Sequence, residues 1–277
     1  LAALDKLDGV DIVSYSTRLV QNVFYNTKLA PTDDVNYRKA LCYLFDYNMI
    51  VNDVFVGSNL NYGPISSYTT GNEKTKQYEY NLDKAKEFLS KSKYADNYKD
   101  YPIEFLVISD VADLEKVALA FQSAARQVGI TVDVKKAPWV TIQERVSTAE
   151  STPNVVSINS APQYNEAGAT LESGFHSKTA GTYENCHWAI SEEMDKEIED
   201  AVSIIDREER FKKYADIQNK IVDEIVPATW IADLTERVAY QSTYIEWPAA
   251  AASKSGNLDA YLMGYPFFFP DMKFISK

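Results

Sequence analysis

The side chains that could do chemistry in this 277-residue chain are few, and their spacing argues against most of it. There are two histidines, His176 and His187, and two cysteines, Cys42 and Cys186. His187 adjoins Cys186, but sequence neighbours seldom converge on one ion. No C-x-x-C, H-x-x-x-H or H-E-x-x-H spacing accompanies them, so no metal site is expected. Cys42 stands beside Leu41 and Leu44 in a helical pattern and reads as a small buried thiol; two cysteines alone do not establish a disulfide. Glu192, Glu193, Glu197, Glu199 and Asp200 crowd one segment. Acids early in a helix suit its positive end, and the run reads as a solvated face rather than a catalytic pair. No G-x-S-x-G turn presents a nucleophile, and no glycine-rich loop joins a strand to a helix to cradle phosphate. Neither a catalytic residue nor a cofactor is expected, which points towards binding. For that the chain is well supplied, with 19 Tyr, 12 Phe and 4 Trp. Tyrosine brings a flat apolar face and one hydroxyl, suited to the walls of ligand clefts and the edges of cores alike. A net charge of −12 argues against a nucleic-acid partner. No run of 18 apolar residues is present to span a membrane.

Whatever positions the binding groups is an α/β scaffold, most legible from Tyr101 to Lys135. Ile103, Phe105 and Val107 alternate as one face of a strand, and Leu106 and Ile108 make the other face apolar too. Leu114, Val117, Ala118, Phe121, Ala125 and Val128 then recur at helical spacing, with Gly129 where a helix C-cap belongs. Ile130, Val132 and Val134 alternate again. Strand, helix, strand predicts a right-handed βαβ unit with parallel strands at 103–108 and 130–135 and a helix near 112–128.

Around this unit the pattern is coarser. Val10, Ile12 and Val13, and separately Leu19, Val20, Val23 and Phe24, read as strands. Pro31 to Asp34 leads into a helix, with Thr32 or Asp33 as its cap, whose buried stripe is Tyr37, Leu41, Leu44, Phe45 and Ile50. Residues 57–80 read as loop, and Asn81 caps a short helix. Pro138-Trp139 opens another helix, and Val155, Val156 and Ile158 form a buried strand. Residues 160–188 show no sustained period and read as a long ordered loop of the kind that often carries function. Two amphipathic helices follow, the first capped by Ser191 and the second ended by Pro227. Thr229–Ile231 and Val238–Tyr240 read as two further strands. The aromatic run Tyr265 to Pro270 needs cover from somewhere.

Several stretches, in order, resemble the family 5 (oligopeptide and dipeptide type) extracellular solute-binding proteins of ABC importers. Asp34-Val35-Asn36-Tyr37-Arg38-Lys39-Ala40-Leu41, with Phe45-Asp46 and Ile50, is similar to that family's D-V-R-V-R-x-A-L…D-R-x-x-I helix. Tyr80 to Leu89 resembles Y-D-P-E-K-A-K-x-L-L. Gln122, Val128-Gly129-Ile130, Val132 and Trp139 match Q-x-x-L-x-x-x-G-I-x-V…W. Asp206-Arg207-Glu208-Glu209-Arg210 with Tyr214 and Gln218 matches D-x-x-x-R-x-x-x-Y-x-x-x-Q, and Ile225-Val226-Pro227 its stop. The matches are collinear over roughly residues 10–240. The resemblance implies an α/β, periplasmic-binding-protein-like lobe, a mixed sheet holding the parallel βαβ unit with flanking helices. It implies a C-terminal ligand-binding lobe over residues 1–240 and a return segment, 241–277, packing towards an N-terminal lobe of the same protein that is missing here. The chain opens Leu-Ala-Ala-Leu without Met, which on this resemblance fits an excised piece. An extracellular setting, lipoprotein-anchored at the cell surface or periplasmic, and a membrane ABC permease as partner are also implied.

Peptide-holding members carry a W-x-x-D motif whose aspartate meets the ligand's α-amino group. Aligned on Tyr164-Asn165-Glu166, this chain has Ser160 and Gln163 there, and a neutral Gln cannot offer the charge-assisted bond an ammonium wants. The expected ligand-binding residues are therefore Trp139 and Tyr164 as walls, Gln163 and Asn165 as hydrogen-bonding groups, and Arg145 as a bidentate partner for a carboxylate. The ligand is a peptide or another small solute, with Glu166 as an alternative amine anchor. The rival functions are a hydrolase with an acidic, aromatic cleft, or a sensory module reusing the fold.

Overall fold

The structure is a computed structural model that describes residues 3–248, 250–251 and 272–275. Its centre is a six-stranded mixed sheet in the order β2-β6-β1-β5-β3-β4. The strands are β1 (Val10–Tyr25), β2 (Asn59–Leu60), β3 (Ile103–Ile108), β4 (Val132–Ala137), β5 (Val155–Ser160) and β6 (Ala228–Gln241); a separate short pair joins β7 (Ile245–Glu246) and β8 (Lys273–Phe274). The helices are α1 (Val35–Cys42), α2 (Tyr47–Met49, continued by a wider turn to Val54), α3 (Leu82–Lys91), α4 (Ala112–Gln127), α5 (Trp139–Arg145), α6 (Ala167–Phe175), α7 (Glu192–Ser203) and α8 (Arg207–Lys220). This is the α/β lobe that the βαβ unit predicts, and its mixed sheet with flanking helices is the periplasmic-binding-protein-like architecture that the family resemblance implies.

The βαβ unit forms as predicted. β3 and β4 are parallel, with Ile103 opposite Val132 and Ile108 opposite Ala137. β4 starts at Val132 rather than Ile130 because the chain is still closing α4 there: Gly129 takes φ +87 and the Ile130 N–H bonds back to the Ala125 carbonyl at 3.0 Å. That left-handed closure is the reason for a glycine. α4 lies on the sheet through Phe121, whose ring meets Phe105 at 5.5 Å and stacks on Phe45 at 4.6 Å. Among the described residues β4 is an edge strand, hydrogen-bonded to β3, with Asp133, Lys135 and Lys136 exposed along it.

Three expectations need correction. Residues 10–13 and 19–24 belong to one 16-residue strand, and 229–231 and 238–240 to another of 14 residues. Their patterns broke where the ladder itself breaks: the β1–β6 register shifts between Ser16 and Val20, and Arg18 sits at φ 55. The α1 cap is Asp34, whose Oδ1 accepts the Tyr37 N–H at 2.9 Å. Thr32 instead donates its hydroxyl to the carbonyls of Asn26 and Leu29, and Asp33 pairs with Lys93. Within 160–188 lies α6, which its two glycines hid. Gly168 is required by packing, since a Cβ there would lie 2.5 Å from the Tyr214 hydroxyl on α8. The caps expected at Asn81 and Ser191 are present. The 252–271 part of the return segment, with the aromatic run 265–270, lies outside the described residues.

Candidate functional site

The parallel strands β3, β4 and β5 end together, at Ile108, Ala137 and Ser160. β1 runs antiparallel to β5, with Val20 opposite Ser160, so everything in β1 before Val20 lies beyond that carboxyl end. There, among the described residues, its ladder partner is β6, from Ser16 opposite Thr235 out to Val10 opposite Gln241. The result is a two-stranded ribbon leaving the lobe at the end of the sheet where open α/β folds hold their ligands, beside the point where strand direction reverses.

The ribbon's departure is tightly pinned. Thr17 donates its hydroxyl to the Leu234 carbonyl at 2.8 Å, and the Ser16 and Thr17 hydroxyls accept the N–H groups of Arg18 and Leu19. A left-handed non-glycine residue is uncommon, and here it marks a bulge that re-aims the strand. On β6 the buried Asp233 carboxylate accepts from Asn61 Nδ2 at 3.0 Å, Ser67 N at 3.0 Å and Ser67 Oγ at 2.6 Å. Those donors answer the cost of burying a carboxylate and tie the loop after β2 to the ribbon's base.

The expected site residues divide at this end. Gln163, Tyr164 and Asn165 follow β5 directly and are all exposed at the carboxyl end. The Tyr164 hydroxyl reaches Glu172 at 3.4 Å, and Asn165 accepts from the Thr70 N–H and hydroxyl, which fixes the loop against residues 66–72. Trp139 opens α5 just past the end of β4, half-buried, its ring edge-on to Tyr183 at 5.1 Å. Arg145 is placed elsewhere. Its Nε donates to the Ser151 carbonyl at 2.9 Å and its Nη2 lies 3.1 Å from Glu104, near the amino end of β3. Glu166 is also engaged: Arg210 grips it with both nitrogens at 2.9 and 3.1 Å, and the Tyr214 hydroxyl donates to it at 3.0 Å. The Arg210 hydrogen bonds hold its carboxyl below the usual carboxylate range.

On the α4 face of the same end a groove of about 450 Å³ runs along the ribbon's base. Its apolar wall is Val54, Phe55 and Val56, and its polar side includes Asn159, Thr235 and Arg237. Sequence reasoning missed this side. The available signal was the polar run Asp233, Thr235, Arg237 at strand spacing in an otherwise apolar stretch.

The residues with nucleophilic potential are spent on structure. Both cysteines are free and buried, and burial pushes the Cys42 thiol up to about 11 and Cys186 up to about 12. His187, fully buried, has Nε2 against the Gly174 carbonyl at 2.8 Å while Nδ1 accepts the Ala189 N–H.

The fold and its ligand-side geometry thus define a class, the α/β lobes of periplasmic-type binding proteins. Residues 1–182 match the model of the bacterial extracellular solute-binding proteins, family 5 middle region, and the chain belongs to that family. That family is one of solute-binding proteins rather than of enzymes. It is 25% identical over 225 residues to the probable D,D-dipeptide-binding periplasmic protein DdpA of Escherichia coli, covering 81% of this chain and 43% of that one. It is 24% identical over 237 residues to the oligopeptide-binding protein AppA of Bacillus subtilis, covering 79% and 42%. The chain therefore spans less than half the length of these curated relatives. The crystal structure of a dipeptide-binding protein from Pseudoalteromonas sp. SM9913 with Met-Leu superposes with a TM-score of 0.78 at 18% identity, over 89% of this chain and 48% of that one, which is a likeness of fold.

Proposed function

We propose that this chain is the C-terminal lobe of a two-lobed, hinge-closing receptor that captures a peptide or similar small solute outside the cell and presents it to an ABC permease. The observation that carries this reading is the ribbon: both long strands leave the body at the carboxyl end of β3, β4 and β5, where chain crossings to a partner lobe would have to lie. Residues 241–277 would then return towards that lobe, and the whole protein would be periplasmic or held at the surface by a lipid anchor. The names of relatives that bind dipeptides and oligopeptides favour a peptide.

In this reading Gln163, Tyr164 and Asn165 form one side of the ligand wall, with Trp139 farther along the same end. Arg145, committed to Glu104, holds α5 in place rather than meeting ligand. Gln163 is neutral and Glu166 already has two partners, so nothing in this loop is left to compensate a buried ammonium, which costs several kcal/mol when unpaired. Calorimetry on the intact receptor and on this chain alone tests the reading with a dipeptide and its N-acetyl form. The intact receptor is expected to bind both within tenfold of each other, and the single lobe neither at micromolar strength. A micromolar complex with the lobe alone, about 8 kcal/mol from one wall, would overturn the half-site.

A further inference from the structure

We propose that residues 66–71 are a strap that ties the ligand-side loop to the bend of the ribbon, with Thr70 as the residue that positions the loop. The role in binding rests on the receptor reading above. At the ribbon end the strap is held by both strands. Arg18, at the left-handed bulge of β1, donates from Nε to the Tyr68 carbonyl at 3.1 Å. On β6 the Asp233 carboxylate accepts both the backbone N–H and the hydroxyl of Ser67. At the loop end Thr70 makes three contacts. Its hydroxyl donates to the Asn165 carbonyl, its N–H donates to Asn165 Oδ1 at 3.4 Å, and its carbonyl accepts the Ala167 N–H at 2.8 Å. Asn165 closes the loop of Gln163 and Tyr164, and Ala167 opens α6.

The strap has little slack. Ser66 makes its first turn, its carbonyl accepting the Thr69 N–H at 2.9 Å and its hydroxyl the Tyr68 N–H at 3.3 Å. Beyond Thr70, Gly71 takes φ +81 and lies so close to α6 and α8 that a Cβ would stand 3.2 Å from both Ala167 Cβ and Tyr214 Cδ2. The buried Gln218 fixes the far end to α8. Its Nε2 donates to the Gly71 carbonyl at 2.8 Å, and its Oε1 accepts the Glu73 N–H at 3.0 Å. One hydrogen-bonded turn thus lies between the ribbon's base and Thr70, and coupling between distant sites is carried by packed, hydrogen-bonded elements of this kind. The loop needs such a tie. Gln163, Tyr164 and Asn165 are exposed, and a segment that buries little of itself opens locally at low cost.

Hydrogen exchange on this chain tests the strap. Arg18→Asn with Ser67→Ala cuts its side-chain ties to the ribbon, asparagine being tolerated in the left-handed region. Thr70→Val cuts the hydroxyl tie to Asn165. Each is expected to speed exchange of amides 165–167 at least fivefold while those of β3 stay unchanged, and Thr70→Ser should exchange as wild type does. All cuts combined should exchange no faster than Thr70→Val alone, because they act on one path. A loop unmoved by the ribbon-end cut, or effects that multiply, would overturn the strap. The positioning role is read from the affinity of the intact two-lobed receptor for the dipeptide Ala-Phe, which Thr70→Val should weaken at least threefold and Thr70→Ser should preserve. Faster exchange with unchanged affinity removes the positioning role and leaves the receptor reading standing. A wild-type receptor that binds no dipeptide removes both.

Discussion

The body of the lobe and the ribbon that leaves it share two strands but are held together differently. In the body, β1 and β6 are flanked by β5 and β2 and covered by helices, and Phe121, fully buried, is wedged between Phe45 and Phe105. Arg38 and His187, both buried there, are partnered at close range. In the ribbon, among the described residues, the same strands form a ladder with each other, and their small cluster includes Val13, Tyr15, Trp247 and Ala250, with the Trp247 ring edge-on to Tyr240 at 5.4 Å. The contrast teaches that a strand can be rigid where it is sheet and adjustable where it is only a pair. On the two-lobed reading proposed above, a hinge would need that division, and the bulge at Arg18 draws the line.

The comparison breaks if the two parts prove equally costly to disturb. The largest effect is expected in the body: Phe121→Ala should destabilise the chain by about 3–5 kcal/mol in denaturant unfolding, since three rings lose their common contact. Next comes acid. Burial lowers the His187 pKa to about 4, below its ordinary value near 6.5. A histidine kept neutral in the fold but protonated when unfolded gives stability that is complete above the unfolded value and lost as pH falls towards the folded one. Stability should therefore decline between about pH 6.5 and 4 by up to about 1.4 kcal/mol per pH unit, and His187→Gln should flatten that limb in urea titrations at stepped pH. The smallest global effect belongs to the ribbon. Trp247→Ala should shift overall stability by about 1 kcal/mol or less while amides of residues 10–16 and 235–241 exchange at least tenfold faster. Faster exchange in β3 and β5 as well would mean that ribbon and body are one cooperative unit.

Part of this was legible in the sequence. The βαβ unit declared itself because both its faces are covered, so Ile103 to Ile108 is apolar apart from Glu104 and α4 keeps a full stripe. β1 and β6 read as fragments because periodicity assumes one register, and Arg18 interrupts it with a conformation no side-chain pattern encodes. α6 was invisible because Gly168, needed for close packing against Tyr214, and Gly174 both lower its helical signal. For the site, the loop after β5 could be placed from the strand before it. The groove at the ribbon's base, which Arg237 lines, could not, because it depends on which residues lie across the ladder. Arg145 and Arg237 look alike in sequence; only their neighbours separate them.

One consequence follows from β4 as the outer strand of the sheet. Its free N–H and C=O groups form a row onto which another strand could be added, the route by which flat, apolar edges grow into fibres. Here Asp133, Lys135 and Lys136 stand exposed along that row. An added strand would have to be seated among charged side chains already paired with their own neighbours, Lys135 with Asp133 at 2.8 Å and Lys136 with Glu115 at 3.0 Å, which works against it. The lobe's sheet is thereby kept from extending into its neighbours at high concentration, and its edge-to-edge growth is checked by a few surface charges rather than by a covering helix.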